Sequence, residues 1–191
     1  QGFAALLPVA LARKPHVLTV HGGDIFGLKS KVIRPFKQLA LRSASAVTVN
    51  STFTANAVKT LTNGRCQPVR IPMGVSIEQP DPHRAREIRE RYAPDGEPLL
   101  VFVGRLVFEK GVDDLIQAVA LLRAKFPNIR CLIIGEGQQR AEYEALAQEL
   151  QLQNNLQFLG WVQPHEVNVH IAAATCFVGP SKTAPDGWVE A

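Results

Sequence analysis

The chain has 191 residues, 46% of them hydrophobic and 20% charged, with a net charge of +4, the composition of a soluble globular protein of one or two domains. Three widely spaced cysteines, Cys66, Cys131 and Cys176, form no CxxC pair, which excludes a disulfide framework and a zinc site and fits a reducing cytosol. The charge is uneven: residues 1–70 carry ten Lys/Arg against one Asp, net +9, and residues 71–191 carry eleven against sixteen Asp/Glu, net −5.

Taken in chain order, the first apolar run, Phe3 to Ala12, is too short to span a bilayer and lacks the basic lead of a signal peptide, so Gly2–Ala12 is expected as a helix packed on a sheet. A strand over His16–Val20, a helix over Pro35–Ser43, a strand over Ala46–Val49, a helix over Thr52–Leu61 and a short strand over Val69–Ile71 follow. The basic residues Lys29, Lys31, Arg34, Lys37 and Arg42 match no nucleic-acid-binding pattern, so nucleic acid is set aside. Two readings stay open for them: a solvated helix face, or a surface for an anionic partner such as phospholipid.

From Pro72 to Pro82 turn formers dominate and the charge reverses, which marks a linker, placed at 74–82 between domains 1–73 and 83–191. Beyond it the pattern predicts helices over Arg84–Tyr92, Val112–Phe126, Gln138–Leu150 and His165–Ala172, alternating with strands over Leu99–Val103, Arg130–Ile134, Leu156–Leu159 and Cys176–Val178. Strands alternating with helices imply an α/β fold with parallel sheets. Cys131 and Cys176, in apolar strands, are expected as small core residues. The chain starts at Gln1 and stops at Ala191 in a Gly/Pro-bearing loop, and is read as a fragment.

Four segments carry chemistry. Leu99 to Val103 is an apolar strand running into Gly104-Arg105 and, after four residues, Lys110-Gly111; two cations beyond the carboxyl end of a buried strand, ahead of a helix, suit a phosphate group. Val17 to Val20 runs into His21-Gly22-Gly23-Asp24, where the glycines permit close approach of a ligand; Asp24 either orients a substrate or caps the turn. Gly135-Glu136-Gly137 follows a strand, but Arg140 stands where a dinucleotide fingerprint needs its third glycine, so a tight strand-to-helix turn also accounts for it. In Gly160-Trp161-Val162, Trp161 is expected in the core. His165 and His170 lack a third ligand, and no metal is expected.

In this order the motifs resemble those of retaining GT-B glycosyltransferases of family 4, the glycosyl transferases group 1. The resemblance implies two Rossmann-like doubly wound domains facing a cleft, both incomplete here, the first on the acceptor side and the second for the donor. It implies transfer of a sugar from a nucleotide-diphosphate sugar, UDP- or GDP-linked, to a glycan or lipid-phosphate acceptor, with retention of anomeric configuration and without metal or tightly bound cofactor. By the same resemblance Arg105 and Lys110 take the diphosphate with Gly104; Gly22, Gly23, Gly135 and Gly137 line the donor site; and Val162 and Trp161 match the positions whose main chain meets the base. His21 sits at the reacting centre, Asp24 on the acceptor side, and Glu190 matches the first of two paired glutamates, although Ala191 replaces the usual following glycine. A hexosyltransferase of polysaccharide or glycolipid synthesis is thus expected, cytoplasmic and peripheral on the inner face of the membrane, with residues 1–191 inactive alone. The alternatives are a nucleotide-sugar epimerase or phosphorylase on the same scaffold and a non-catalytic binding protein.

Overall fold

The computed structural model describes Pro8, Leu11 and residues 14–27, 32–75 and 79–184. The helix expected over Gly2–Ala12 lies outside these apart from Pro8 and Leu11, both helical; Lys29, Lys31 and Glu190 also lie outside. The chain divides into two compact units between residues 75 and 76.

In the first unit three parallel strands, β1 (Val17–Val20), β2 (Ala46–Val49) and β3 (Val69–Arg70), lie in that order, with Val17 opposite Ala46 and Thr48 opposite Val69. The connections are α1 (Gly23–Phe26), α2 (Ile33–Ser43) and α3 (Thr52–Thr62). Val20, Val47 and Val49 meet Leu41 of α2 and Ala55 and Val58 of α3 in one small core. The Ser51 hydroxyl starts α3 by accepting the Thr54 N–H at 3.1 Å, and Asn63 in the left-handed region ends it.

The second unit holds α4 (Pro82–Tyr92), β4 (Leu99–Val103), α5 (Val112–Leu122), β5 (Arg130–Ile134), α6 (Arg140–Glu149), β6 (Leu156–Gly160), α7 (Pro164–Ala173) and β7 (Cys176–Phe177). Its four strands are all parallel, ordered β6-β5-β4-β7. The chain therefore steps outward from β4 to β6 and returns to the far side of β4, which makes the carboxyl edge between β4 and β7 the switch point of a doubly wound sheet.

Both faces of this sheet are covered, which is why β4 and β5 read as unbroken apolar runs. Phe102, Cys131 and Ile133 point to one core with Val112, Leu115, Ile116 and Val119 of α5; Leu99, Val101, Leu132 and Ile134 point to the other, with Ala85, Ile88 and Tyr92 of α4. Each large aliphatic side chain so buried contributes about 1.5–3 kcal/mol.

Some expected bounds are corrected. α5 stops at Leu122 rather than Phe126, because Pro127 bars the preceding residue from helical backbone and the chain closes in turns. α6 starts at Arg140 rather than Gln138, since Gln138 and Gln139 form a turn and Gln139 leaves helical backbone at ψ 7°, its N–H satisfied by the Leu106 carbonyl at 3.1 Å. α4 begins earlier, at Pro82, capped by the Asp81 carboxylate on the His83 N–H at 2.9 Å. Cys176 is exposed rather than buried: β7 is a two-residue edge strand, while Cys131 on the interior β5 is a core residue. Among the described residues no helix is long and apolar enough to cross a membrane.

Candidate functional site

The carboxyl ends of β4, β5 and β6 are tied to one another by backbone. Gly104 N–H donates to the Ile134 carbonyl at 3.0 Å, Gly135 N–H to Gly160 at 2.8 Å, and Leu106 N–H to Glu136 at 2.9 Å. The approach is so close that only glycine fits at two positions. At Gly135, with φ +135°, a Cβ would fall 1.9 Å from the Gly104 carbonyl oxygen, and at Gly137 it would fall 2.2 Å from that of Leu106. The GxG turn is therefore the seat on which the Gly104–Leu106 loop rests.

Beside this seat opens a cavity of about 440 Å³ onto which Gly104, Arg105, Gly135, Trp161 and Val162 all face. Arg105 is exposed and forms no ion pair with any described residue. Lys110 is half-buried at the end of the single 3₁₀ turn Phe108–Lys110, and its Cδ lies 3.7 Å from where a Gly104 Cβ would be, so its stem runs alongside the end of β4. The structure thus brings Gly104, Arg105, Gly135 and Val162 to one cavity with Lys110 next to it. Gly137 lies under the loop backbone instead.

Trp161 is 64% exposed, not in the core as expected: β6 ends at Gly160 with φ +72°, and the backbone turns the indole outward on the cavity wall while Val162 packs inward against the α4 side of the sheet. Arg140 is held by Glu136 and by Glu144, the latter at 2.8 Å. Lys182 carries no motif of its own in the sequence, yet it ties the loop after β7 to this edge through Asp113 and Asp114. No local pattern announces an ion pair of that sequence separation.

In the first unit His21 is exposed at the end of β1, and its backbone N–H donates to Asp24 Oδ2 at 3.1 Å, which folds the Asp24 carboxylate back onto the turn without capping α1. Gly22, at φ +86°, carries the turn whose carbonyl accepts the Ile25 and Phe26 N–H groups. Lys37 secures it by donating to the Ile25 carbonyl at 2.9 Å and to that of Gly27. Burial draws the Lys37 pKa down, with Asp24 opposing. Of the five basic residues singled out, Lys37 and Arg42 therefore hold backbone carbonyls, and Arg34 is exposed.

Residues 84–190 match the family described as Glycosyl transferases group 1. The GDP-mannose-dependent alpha-(1-6)-phosphatidylinositol monomannoside mannosyltransferase of Mycolicibacterium smegmatis is 28% identical over 195 residues, covering 97% of this chain and 51% of its own. The 2-deoxystreptamine glucosyltransferase of Streptomyces kanamyceticus is 28% identical, covering 91% and 49%. Among solved structures, HepE of Anabaena in complex with UDP and glucose superposes with a TM-score of 0.79 at 23% identity, over 97% of this chain and 52% of that one. The fold is that of GT-B glycosyltransferases, and the chain spans about half the length of these relatives.

Proposed function

Because the chain belongs to the glycosyl transferases group 1 family, we propose that the protein transfers a sugar from a nucleotide diphosphate to a glycan or lipid-linked acceptor, with retention at the anomeric carbon. The observation that carries this reading is the pairing of Arg105 and Lys110 beyond the carboxyl end of β4, next to a cavity floored by the Gly135 turn. A departing nucleoside diphosphate gains charge as the glycosidic bond breaks. Preorganised cations in a partly dry site stabilise that charge more than they stabilise the ground state. Arg105 and Lys110 are assigned to the diphosphate and the Val162 backbone to the base. On sequence resemblance His21 is assigned to the reacting centre and Glu190 to the sugar hydroxyls.

Residues 1–73 are assigned to the acceptor side and 83–191 to the donor side, joined by 74–82. The donor is a UDP- or GDP-sugar: the mycobacterial relative is named for GDP-mannose, and HepE was crystallised with UDP. A cytoplasmic location, peripheral on the inner face of the membrane where a lipid-linked acceptor would be met, is part of the same proposal. Residues 1–191 by themselves are assigned no turnover.

The test is a panel of UDP- and GDP-sugars offered to the full-length protein with lipid and glycan acceptors, the product's anomeric configuration being read by NMR. An α-linked donor is expected to give an α-linked product. Inversion would overturn the retaining mechanism, and donor consumption without a glycosylated acceptor would favour an epimerase or phosphorylase.

A further inference from the structure

The loop after β7 is fastened to the loop after β4 by one lysine. Lys182 Nζ lies 2.5 Å from Asp113 Oδ2 and 3.0 Å from Asp114 Oδ2, in the first turn of α5, and 4.5 Å from the centre of the Phe108 ring. Its backbone N–H donates to the Glu109 carbonyl at 2.9 Å. Two residues earlier the Pro180 carbonyl oxygen sits 2.1 Å from where a Gly111 Cβ would be, so only glycine, here at φ +64°, admits this approach.

The charges give the contact a consequence. From Arg105 to Asp114 the chain carries two cations, Arg105 and Lys110, and three carboxylates, Glu109, Asp113 and Asp114, net −1. Asp113 and Asp114, two and three residues after Gly111, put two negative charges at this edge, which disfavour a diphosphate brought to it. Those aspartates also oppose the favourable partial charge at the α5 amino terminus. Lys182 brings the sum to zero by lying on both. The Lys182–Asp113 pair is 23% and 28% exposed, so it is screened less than a surface pair. Asp113 Oδ1 is buried with no hydrogen-bond partner, which leaves the lysine as the principal compensation for that carboxylate. Burial lowers the Lys182 pKa, but the hydrogen bonds and charges of the two aspartates prevail and raise it, so the lysine stays charged.

We propose that Lys182 is a positioning residue for the donor: it latches the 179–184 loop, which leads in sequence to Glu190, onto the first turn of α5, and cancels the Asp113–Asp114 pair where the diphosphate binds. This inference rests on the reading of the β4 edge as the diphosphate site.

The experiment uses the full-length protein and titrates UDP and GDP by calorimetry, with donor KM and kcat measured in parallel. Lys182→Gln is expected to weaken nucleotide binding and raise donor KM by about tenfold, the effect of one uncompensated charge in a partly buried site, with less change in kcat. Lys182→Arg should stay near wild type. Adding Asp114→Asn to Lys182→Gln should recover most of the lost affinity, because the repelling carboxylate has gone, whereas a merely structural latch would not be rescued in this way. If Lys182→Gln does not fold, Asp114→Asn in the wild-type background decides: equal or tighter nucleotide binding supports the proposal and weaker binding overturns it. Wild-type affinity in Lys182→Gln, or no recovery in the double variant, overturns the role of the lysine alone. Absence of UDP and GDP binding by the wild-type protein overturns the site reading as well.

Discussion

At Gly135 the backbone is held at φ +135° with the Gly104 carbonyl in the space of a side chain. Alanine there must either part the ends of β4 and β5 or strain the turn, and Gly135→Ala is expected to cost about 2 kcal/mol or more in urea unfolding. Unchanged stability would mean that the Gly104 loop is not seated on this turn. Two buried groups set an alkaline limit. Burial pushes the Cys131 thiol up to about 12, and burial together with the charges of Asp113, Glu142, Glu109 and Asp114 pushes the Tyr143 phenol up to about 12. Both are protonated in either state below their ordinary values of 9.0 and 10.0, so stability is full there. Above them the unfolded chain ionises first and stability falls as pH rises towards 12. The urea midpoint should therefore drop as pH rises from about 9 towards about 12, and Tyr143→Phe should flatten the slope; a flat wild-type profile would contradict this. Gly104 and Gly135 were legible in the sequence because each follows directly on an apolar run that reads as a covered strand, with Arg105 one residue further on, whereas Val162 was legible only through the resemblance to the family motif. The outward turn of Trp161 was not, since a glycine's residue type does not reveal the positive φ that Gly160 adopts, and neither was the reach of Lys182, whose partners Asp113 and Asp114 lie far off in the chain.

The elements themselves were largely legible from period. α5 repeats apolar residues at Val112, Leu115, Ile116 and Val119, and those residues are buried. The termini were harder, because they are decided by single residues rather than by a repeat: Gln139 leaves helical backbone ahead of α6, and Pro127 disfavours helical backbone at Phe126 beyond α5. α1 and the 3₁₀ turn Phe108–Lys110, four and three residues long, are too short to show a period at all. Ser51 holds the Thr54 N–H at the start of α3, and Ser51→Ala is expected to lower stability by about 1 kcal/mol, measured by thermal unfolding. No change would show that Asn50, whose side-chain carbonyl accepts the Thr54 hydroxyl at 3.1 Å, or water suffices there.

For the whole molecule the charge division matters most, nine net positive charges before residue 71 and five net negative after it. On α2, Phe36 and Leu39 are exposed beside Arg34. If this face meets anionic lipid, the full-length protein should sediment with anionic vesicles at low salt and less so as salt rises; equal sedimentation with neutral vesicles would rule that out. The central claim, that the edge beyond β4 carries the departing nucleoside diphosphate, is tested most directly by the transfer rates of Arg105→Ala and Lys110→Ala in the full-length protein, at saturating donor and with folding checked by circular dichroism. Each variant is predicted to fold normally and lose roughly a hundredfold in rate, the cost of about 3 kcal/mol for removing a cation from a developing phosphate charge. Wild-type turnover in either would contradict the account.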